Sequence, residues 1–222
     1  MCNRFDQHNI SDLINDFAWA AELLNRSSAE PSWNVAPTHV RPVMRLEAGS
    51  LLIDDLYWGY QAPWAEGKVP VARNAKVEKL EGGYWGPLLK RWRVLVPANG
   101  WYEWTGEKGN KQGWHIHRKA GELLYIAGLA SFAEPTTNKA NNGFVMVTAD
   151  AAGGLVDVHD RRPVVFSAAD AATWLDPELS GEQAAEMARS MGLGPEHFDW
   201  HKVGKAVGNV NSIGPELAQP VA

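Results

Sequence analysis

The chain reads as an α+β protein, with a mainly antiparallel, barrel-like β-sheet core and flanking helices in a single domain over residues 1–222. Three observations predict this. Strand-patterned runs crowd into residues 91–148, glycine- and asparagine-containing turns separate them, and the long helical patterns lie before and after that block. Strands do not alternate regularly with helices, so a doubly wound parallel sheet is not expected.

Residues 12–25 carry Leu13, Ile14, Phe17, Ala21 and Leu24 at helical spacing, with Ser11 placed to cap the amino end. A loop over 26–34 leads into Asn34-Val35-Ala36-Pro37, a proline-fixed turn. Strands are expected at 41–46 and 51–58. Residues 60–90 are rich in glycine and proline and read as mostly irregular, which suits a binding surface. Strands follow at 93–97, 113–118, 123–129 and 143–148, with turn signals at Gly106…Gly109 and Asn141-Asn142-Gly143. A short strand at 163–166 precedes two helices, each opened by a capping-box pattern, Ser167…Asp170 and Ser180…Gln183. A strand at 201–203 closes the pattern, and the tail is loop.

Hydrophobic residues make up 45% of the 222, enough for a sizeable core, yet no apolar run approaches a membrane span. The opening MCNRFDQHNI lacks the apolar stretch of a signal peptide. A single cysteine excludes an intrachain disulfide and fits a reducing compartment, so a cytoplasmic location is expected. The net charge of −5 argues at first against a nucleic-acid partner. However, residues 170–200 hold seven acids and one base, a net of −6 that leaves the remainder at +1. Lys68, Arg73, Lys76 and Lys79 cluster, as do Lys90, Arg91 and Arg93, so a local basic surface is compatible with the acidic total. Ordinary solvated charge is an equal reading of either cluster.

Eleven tryptophans are a large number for this length. Trp19 and Trp174 fall in helical patterns and are expected in the core. Trp58, Trp64 and Trp101 border glycine or proline, where an exposed ring can stack on a base. Most tryptophans are packing residues, so only one or two are assigned to ligand contact.

The sole cysteine is Cys2. With Met1 removed, this residue carries a thiol and an α-amine, titrating near ~8.5 and ~8. Such a residue can condense with an aldehyde through nitrogen and close a thiazolidine ring through sulfur. It can also use its own amine to activate its thiol. Two segments offer partners for proton transfer. Val158-His159-Asp160-Arg161-Arg162-Pro163 reads as a loop at a sheet end, with arginines suited to phosphate. In Gly100-Trp101-Tyr102-Glu103-Trp104, a strand would set Glu103 on the face of Trp101, opposite Tyr102 and Trp104, where burial raises a carboxyl pKa. A structural loop histidine and a surface glutamate are the plainer alternatives. His115-x-His117 puts two imidazoles on one strand face, but no second pair at ligand spacing accompanies it. It reads as chance alternation, and no metal is expected. There is no phosphate-cradling glycine loop and no serine elbow, and no cofactor is expected.

Taken together and in order, these pieces resemble the SRAP family, the SOS-response-associated peptidase or abasic-site processing proteins. The matching segments are Met1-Cys2-x-Arg4-Phe5, Asn34-Val35-Ala36-Pro37, Trp58-Gly59…Trp64, Asn74-Ala75-x-x-Glu78, Val96 through Trp104, and Val147-Thr148-Ala149…His159-Asp160-Arg161-Arg162-Pro163. The closing Ala206-Val207-Gly208-Asn209-Val210 looks like the bacterial branch. The resemblance implies binding of single-stranded DNA that carries abasic sites, and a covalent thiazolidine between Cys2 and the sugar aldehyde. It implies that Asn74 holds the sugar, Glu103 manages protons at the amine and ring, and His159 protonates the opening sugar oxygen. Arg4, Lys76, Thr148 and Arg161 would contact phosphates, and Trp64 would stack at a strand junction. Two positions depart from the family pattern. Asn3 stands where glycine is usual, and Lys76 where arginine is usual, with Arg73 nearby to supply the missing fork. Self-removal of Met1 and a lyase side reaction are compatible with this reading. The alternatives are a cysteine peptidase with Cys2 as nucleophile and a non-covalent single-strand-binding module. No membrane partner is implied, and a monomer is expected.

Overall fold

Alternating apolar residues pair into two sheets that share a core. The computed structural model describes residues 2–10, 17, 22–132 and 137–221. In chain order the elements are β1 (Phe5–Gln7), β2 (Leu23–Asn25), β3 (Ser32–Val35), β4 (Val40–Glu47), β5 (Ser50–Trp58), β6 (Asn74–Lys76) and helix α1 (Gly86–Arg91). They continue with β7 (Arg93–Ala98), β8 (Gly100–Thr105), β9 (Gln112–Arg118), β10 (Leu124–Ala130), β11 (Gly143–Asp150), β12 (Arg161–Pro163) and β13 (Val165–Phe166). Helices α2 (Ala168–Leu175) and α3 (Gly181–Ser190) follow, and β14 (Phe198–Val203) is last.

One sheet has the order β14-β9-β8-β1-β3 and is antiparallel throughout. The other has the order β12-β11-β10-β7-β4-β5-β2, with β13 on β10 and β6 on β11. A parallel pairing of Gly143 with Tyr57 and Phe144 with Trp58 joins β11 back to β5, so part of this sheet curls into a ring without forming a complete barrel. The seam is tight. A Cβ on Gly143 would collide with the carbonyl oxygens of Gly59 and Tyr57, which is why glycine stands there.

The second sheet is buried on both faces. In β7, Val94 and Val96 point to the core between the sheets, while Leu95 points to the helical side; β10 and β11 alternate in the same way. The inter-sheet core holds Cys2, Phe5, Trp58, Trp101, Ile116 and Phe144. The helical layer adds Leu88 and Leu89 from α1, Trp174 from α2 and Ala184 from α3. A third, smaller cluster of Tyr102, Val203, Val207 and Leu217 lies on the outer face of the five-stranded sheet, under the carboxy-terminal tail.

The expected α+β class holds, and most expected strands lie within or beside observed ones. Both helix caps form: Ser167 accepts the Asp170 N–H at 3.2 Å, and Ser180 and Gln183 make a full capping box. Other expectations need correction. Of the expected helix at 12–25, residues 12–16 and 18–21 lie outside the described residues, and Leu23–Asn25 is a strand beside β5. Ser32–Val35 is a strand rather than loop and turn, because β1 supplies its partner. The irregular stretch 60–90 contains β6 and α1; Pro87 in the first helical turn suits the start of α1. Trp58 and Trp101 are core residues, and Trp174 is buried as expected. Trp19 lies outside the described residues. Among the described residues no helix is long and apolar enough to cross a membrane.

Replacing Gly143 by alanine is expected to destabilise the protein by about 1–3 kcal/mol, as overpacking of a rigid seam does. Urea denaturation of wild type and variant checks this.

Candidate active site

The amino terminus runs into the middle of the five-stranded sheet. β1 pairs with β8 on one side and β3 on the other, so Cys2 enters the inter-sheet core just ahead of Phe5. Cys2 is 0% exposed, and its thiol points to the Arg4 carbonyl at 3.7 Å. Burial first, and then the charge of Glu103, push the thiol well above its ordinary pKa.

Three other residues converge there from separate elements. Asn74, at the start of β6, donates from Nδ2 to the Cys2 carbonyl at 2.9 Å and to Asn3 Oδ1 at 3.4 Å. Its Oδ1 is buried without a hydrogen-bond partner. Glu103 sits on β8, on the face of Trp101 as the strand alternation predicts, and is 3% exposed. Burial raises its pKa to about 8, the amino-terminal charge pulling it down and Asp160 pushing it up. His159 follows a 3-10 turn at Gly153–Asp157, and its Nε2 is 3.8 Å from Glu103 Oε2. Its Nδ1 accepts the Arg161 backbone N–H at 3.0 Å and lies 2.7 Å from Asp160 Oδ1. Burial and the positive amino terminus hold the imidazole pKa below its usual range. The space beside Glu103 and His159 measures about 10 Å³, no more than one water's worth.

The remaining site residues divide into two groups. Trp64 is 65% exposed on a 3-10 turn, and Lys68, Arg73, Lys76 and Lys79 are exposed along the same segment. Arg4, Thr148 and Arg161 are instead engaged within the protein. Arg4 donates from one nitrogen to Asn34 Oδ1 at 2.6 Å and to the Val207 carbonyl at 2.8 Å. Arg161 donates to Glu78 at 2.7 Å, Asp150 at 2.6 Å and the Thr148 carbonyl at 2.6 Å, and Thr148 is fully buried. Arg4 nevertheless lines a groove of about 580 Å³ together with Trp104, Lys111 and Lys205.

Sequence alone assigns no role to Asp160, Glu78, Asp150 or Asn34, which orient His159, Arg161 and Arg4. Asp160 adjoins His159, and Glu78 and Asn34 lie in matched motifs, so a signal exists for those three. Asp150 has none. Chemically, the arrangement gathers a thiol, a carboxyl protonated at neutral pH, an imidazole and a side-chain amide around the start of the chain.

The family model described as SOS response associated peptidase (SRAP) matches residues 1–210. The chain is 37% identical to the abasic site processing protein YedK of Escherichia coli, across all of both chains. It is 26% identical to the abasic site processing protein YoaM of Bacillus subtilis over 80% of each chain. Among solved structures, a phage-related protein of Bordetella bronchiseptica superposes with a TM-score of 0.76 at 35% identity, covering 91% of this chain and 94% of that one. A Bacteroides thetaiotaomicron protein with a TM-score of 0.77 and 17% identity shares the fold across all of both chains.

The raised pKa of Glu103 makes a signed prediction about stability. Between its ordinary 4.5 and about 8, the folded state holds a proton that the unfolded state has released. Stability conferred by that proton is present below about 4.5 and is lost as pH rises to about 8. Urea denaturation at pH 5, 6.5 and 8 is expected to show wild-type stability falling across this window, and the fall should shrink in Glu103→Gln.

Proposed function

Because the chain belongs to the SOS response associated peptidase family, we propose that it processes abasic sites in DNA by capturing them covalently on Cys2. The observation that carries this reading is the convergence of Cys2, Asn74, Glu103 and His159, with Asn74 bonded to the Cys2 carbonyl at 2.9 Å. Relatives named for abasic site processing in Escherichia coli and Bacillus subtilis support the substrate class.

With Met1 removed, the Cys2 amine adds to the aldehyde C1′ of the open-chain sugar and forms a carbinolamine. Loss of water gives an iminium. The thiol sulfur then bonds to the same carbon, the C=N electron pair returns to nitrogen, and the thiol proton is released. Aldehyde and aminothiol thus become thiazolidine and water. Glu103, protonated near neutrality, supplies the proton that turns the carbinolamine hydroxyl into leaving water. The resulting carboxylate accepts the thiol proton. His159 serves the sugar ring oxygen through Nε2 as the furanose opens, while the Arg161 backbone N–H holds its other nitrogen. The raised thiol pKa is consistent with this order, because the sulfur stays protonated until a positive iminium forms beside it.

Single-stranded DNA is the proposed substrate form. Trp64 is the exposed ring for base stacking, with Arg73 and Lys76 exposed nearby for phosphates. The groove lined by Arg4, Lys111 and Lys205 offers a second cationic path, and Arg161 with Thr148 would act from behind the surface, positioning rather than touching phosphate until Glu78 or Asp150 releases the guanidinium. The chain is proposed to act as a single domain and a monomer.

The test is denaturing-gel capture of a single-stranded oligonucleotide that contains one abasic site. Wild type is expected to give a heat-stable protein–DNA band; Cys2→Ala and a form that retains Met1 are expected to give none. No band from fully processed wild type would sink the crosslinking reading. In the same assay Glu103→Gln should slow capture by about 10²–10⁴-fold, the usual contribution of a positioned acid–base group. Trp64→Ala should instead weaken binding by about 1–3 kcal/mol while leaving the capture rate at saturating DNA unchanged.

A further inference from the structure

The opposite face of the five-stranded sheet carries a second cluster. The register sets His201 of β14 directly across from His115 of β9, and His117 lies two residues along. Their neighbour across β8 is Tyr102, whereas Trp101 and Glu103 face the reactive cysteine. One ring nitrogen from each histidine lies within 4.8 Å of those of the other two, and the ring centroids are 5.4 to 5.5 Å apart. Sequence spacing displays only His115-x-His117. The third imidazole comes from a distant strand, which is why the pair reads as chance alternation in one dimension.

Two of the rings are each held through one nitrogen. His117 Nδ1 donates to the Arg118 carbonyl at 2.9 Å, and His201 Nε2 donates to the Ala218 carbonyl at 2.8 Å. His115 Nε2 lies 3.3 Å from the carboxylate of Asp6, which is fully buried. A proton on His117 Nδ1 and on His201 Nε2 leaves a lone pair on the other nitrogen of each ring, and a proton on His115 Nε2 toward Asp6 would do the same there. Carbonyl and carboxylate partners of this kind orient imidazoles that bind metals. His115 is only 6% exposed, and both its ring nitrogens are buried with no hydrogen-bond partner, Nε2 meeting Asp6 only as an ion pair. A buried polar atom without a partner calls for a reason. The backbone also makes room for the ring, since a Cβ on Gly100 would collide with its Nε2.

We infer that His115, His117 and His201 form a three-imidazole site for a divalent transition-metal ion of the zinc, cobalt or nickel class. Imidazole suits these ions, and three protein ligands leave a further coordination position on the half-buried side of His117 and His201. Binding would require the three nitrogens, now within 4.8 Å of one another, to draw closer by side-chain rotation. Ligation ties β9 to β14 and, through Ala218, to the tail. Because the cluster and Cys2 occupy opposite faces, the ion would act on stability rather than on the chemistry at Cys2.

The test uses tag-free full-length protein, with Co²⁺ followed by absorption and Zn²⁺ followed by calorimetry and thermal melting. Wild type is expected to bind one ion with visible cobalt bands, to lack the thiolate charge-transfer band, and to melt several degrees higher with excess Zn²⁺. Cys2→Ala should bind equally well. His117→Gln and His201→Gln should lose affinity on the order of 100-fold. Absence of saturable binding, a cobalt–thiolate band in wild type, or binding lost in Cys2→Ala would each overturn the site. The cobalt spectrum of wild type distinguishes imidazole from thiolate ligands even if a histidine variant fails to fold.

Discussion

The position of the amino terminus rests on one buried guanidinium. Arg4 reaches away from the core and donates to both the Asn34 side chain and the Val207 carbonyl. Asn34 in turn donates from Nδ2 to the Asn209 and Ser212 carbonyls, each at 2.9 Å. Trp104 covers the guanidinium, whose carbon lies 5.7 Å from the ring centre. The first strand, the third strand and the tail are therefore held by a single hydrogen-bonded unit. Charge-assisted hydrogen bonds of this kind are among the stronger ones, and breaking one partner leaves a buried charge uncompensated. With β1 so clamped between β3 and β8, the residue ahead of it has few directions to take, and Cys2 enters the inter-sheet core.

That placement sets a chemical tension. A thiol buried among Phe5, Trp58 and Trp101 is protected from oxidation and indiscriminate reaction, but burial also suppresses its ionisation. The charge of Glu103 deepens the effect once that carboxyl has lost its proton. The site thus stores reactivity in a neutral form. Asn74 contributes geometry: its amide bridges Cys2 and Asn3, the position where this chain carries a side chain in place of the family's usual glycine.

Much of this was legible in the sequence, for identifiable reasons. The strands β7, β10 and β11 read as nearly continuous apolar runs because both faces of their sheet meet apolar layers, and the caps at Ser167 and Ser180 act locally. The strands β1, β3 and β6 span only three or four residues, too short for periodicity, and exist because partners pair with them. At the site, Cys2, Asn74, Glu103 and His159 could be singled out by chemistry and motif. The internal commitments of Arg4 and Arg161 could not, since an arginine's partner is a tertiary fact. The same holds for His201, whose relation to His115 depends wholly on strand register.

The clasp between Arg4 and Val207 also has a consequence in time. A ribosome delivers the first residues long before residue 207, and β1 has no partner until β3 and β8 have been made. At about 5–20 residues per second, the interval between synthesis of Cys2 and completion of its surroundings is on the order of ten to forty seconds. Early in that interval β1 lacks a strand to pair with, and the amino terminus is open to the enzymes that trim nascent proteins. Once the tail closes over Asn34, the same residue is sealed at 0% exposure. The proposed nucleophile is therefore open to trimming while the chain is being made, and the fold that conceals it is the last thing to arrive.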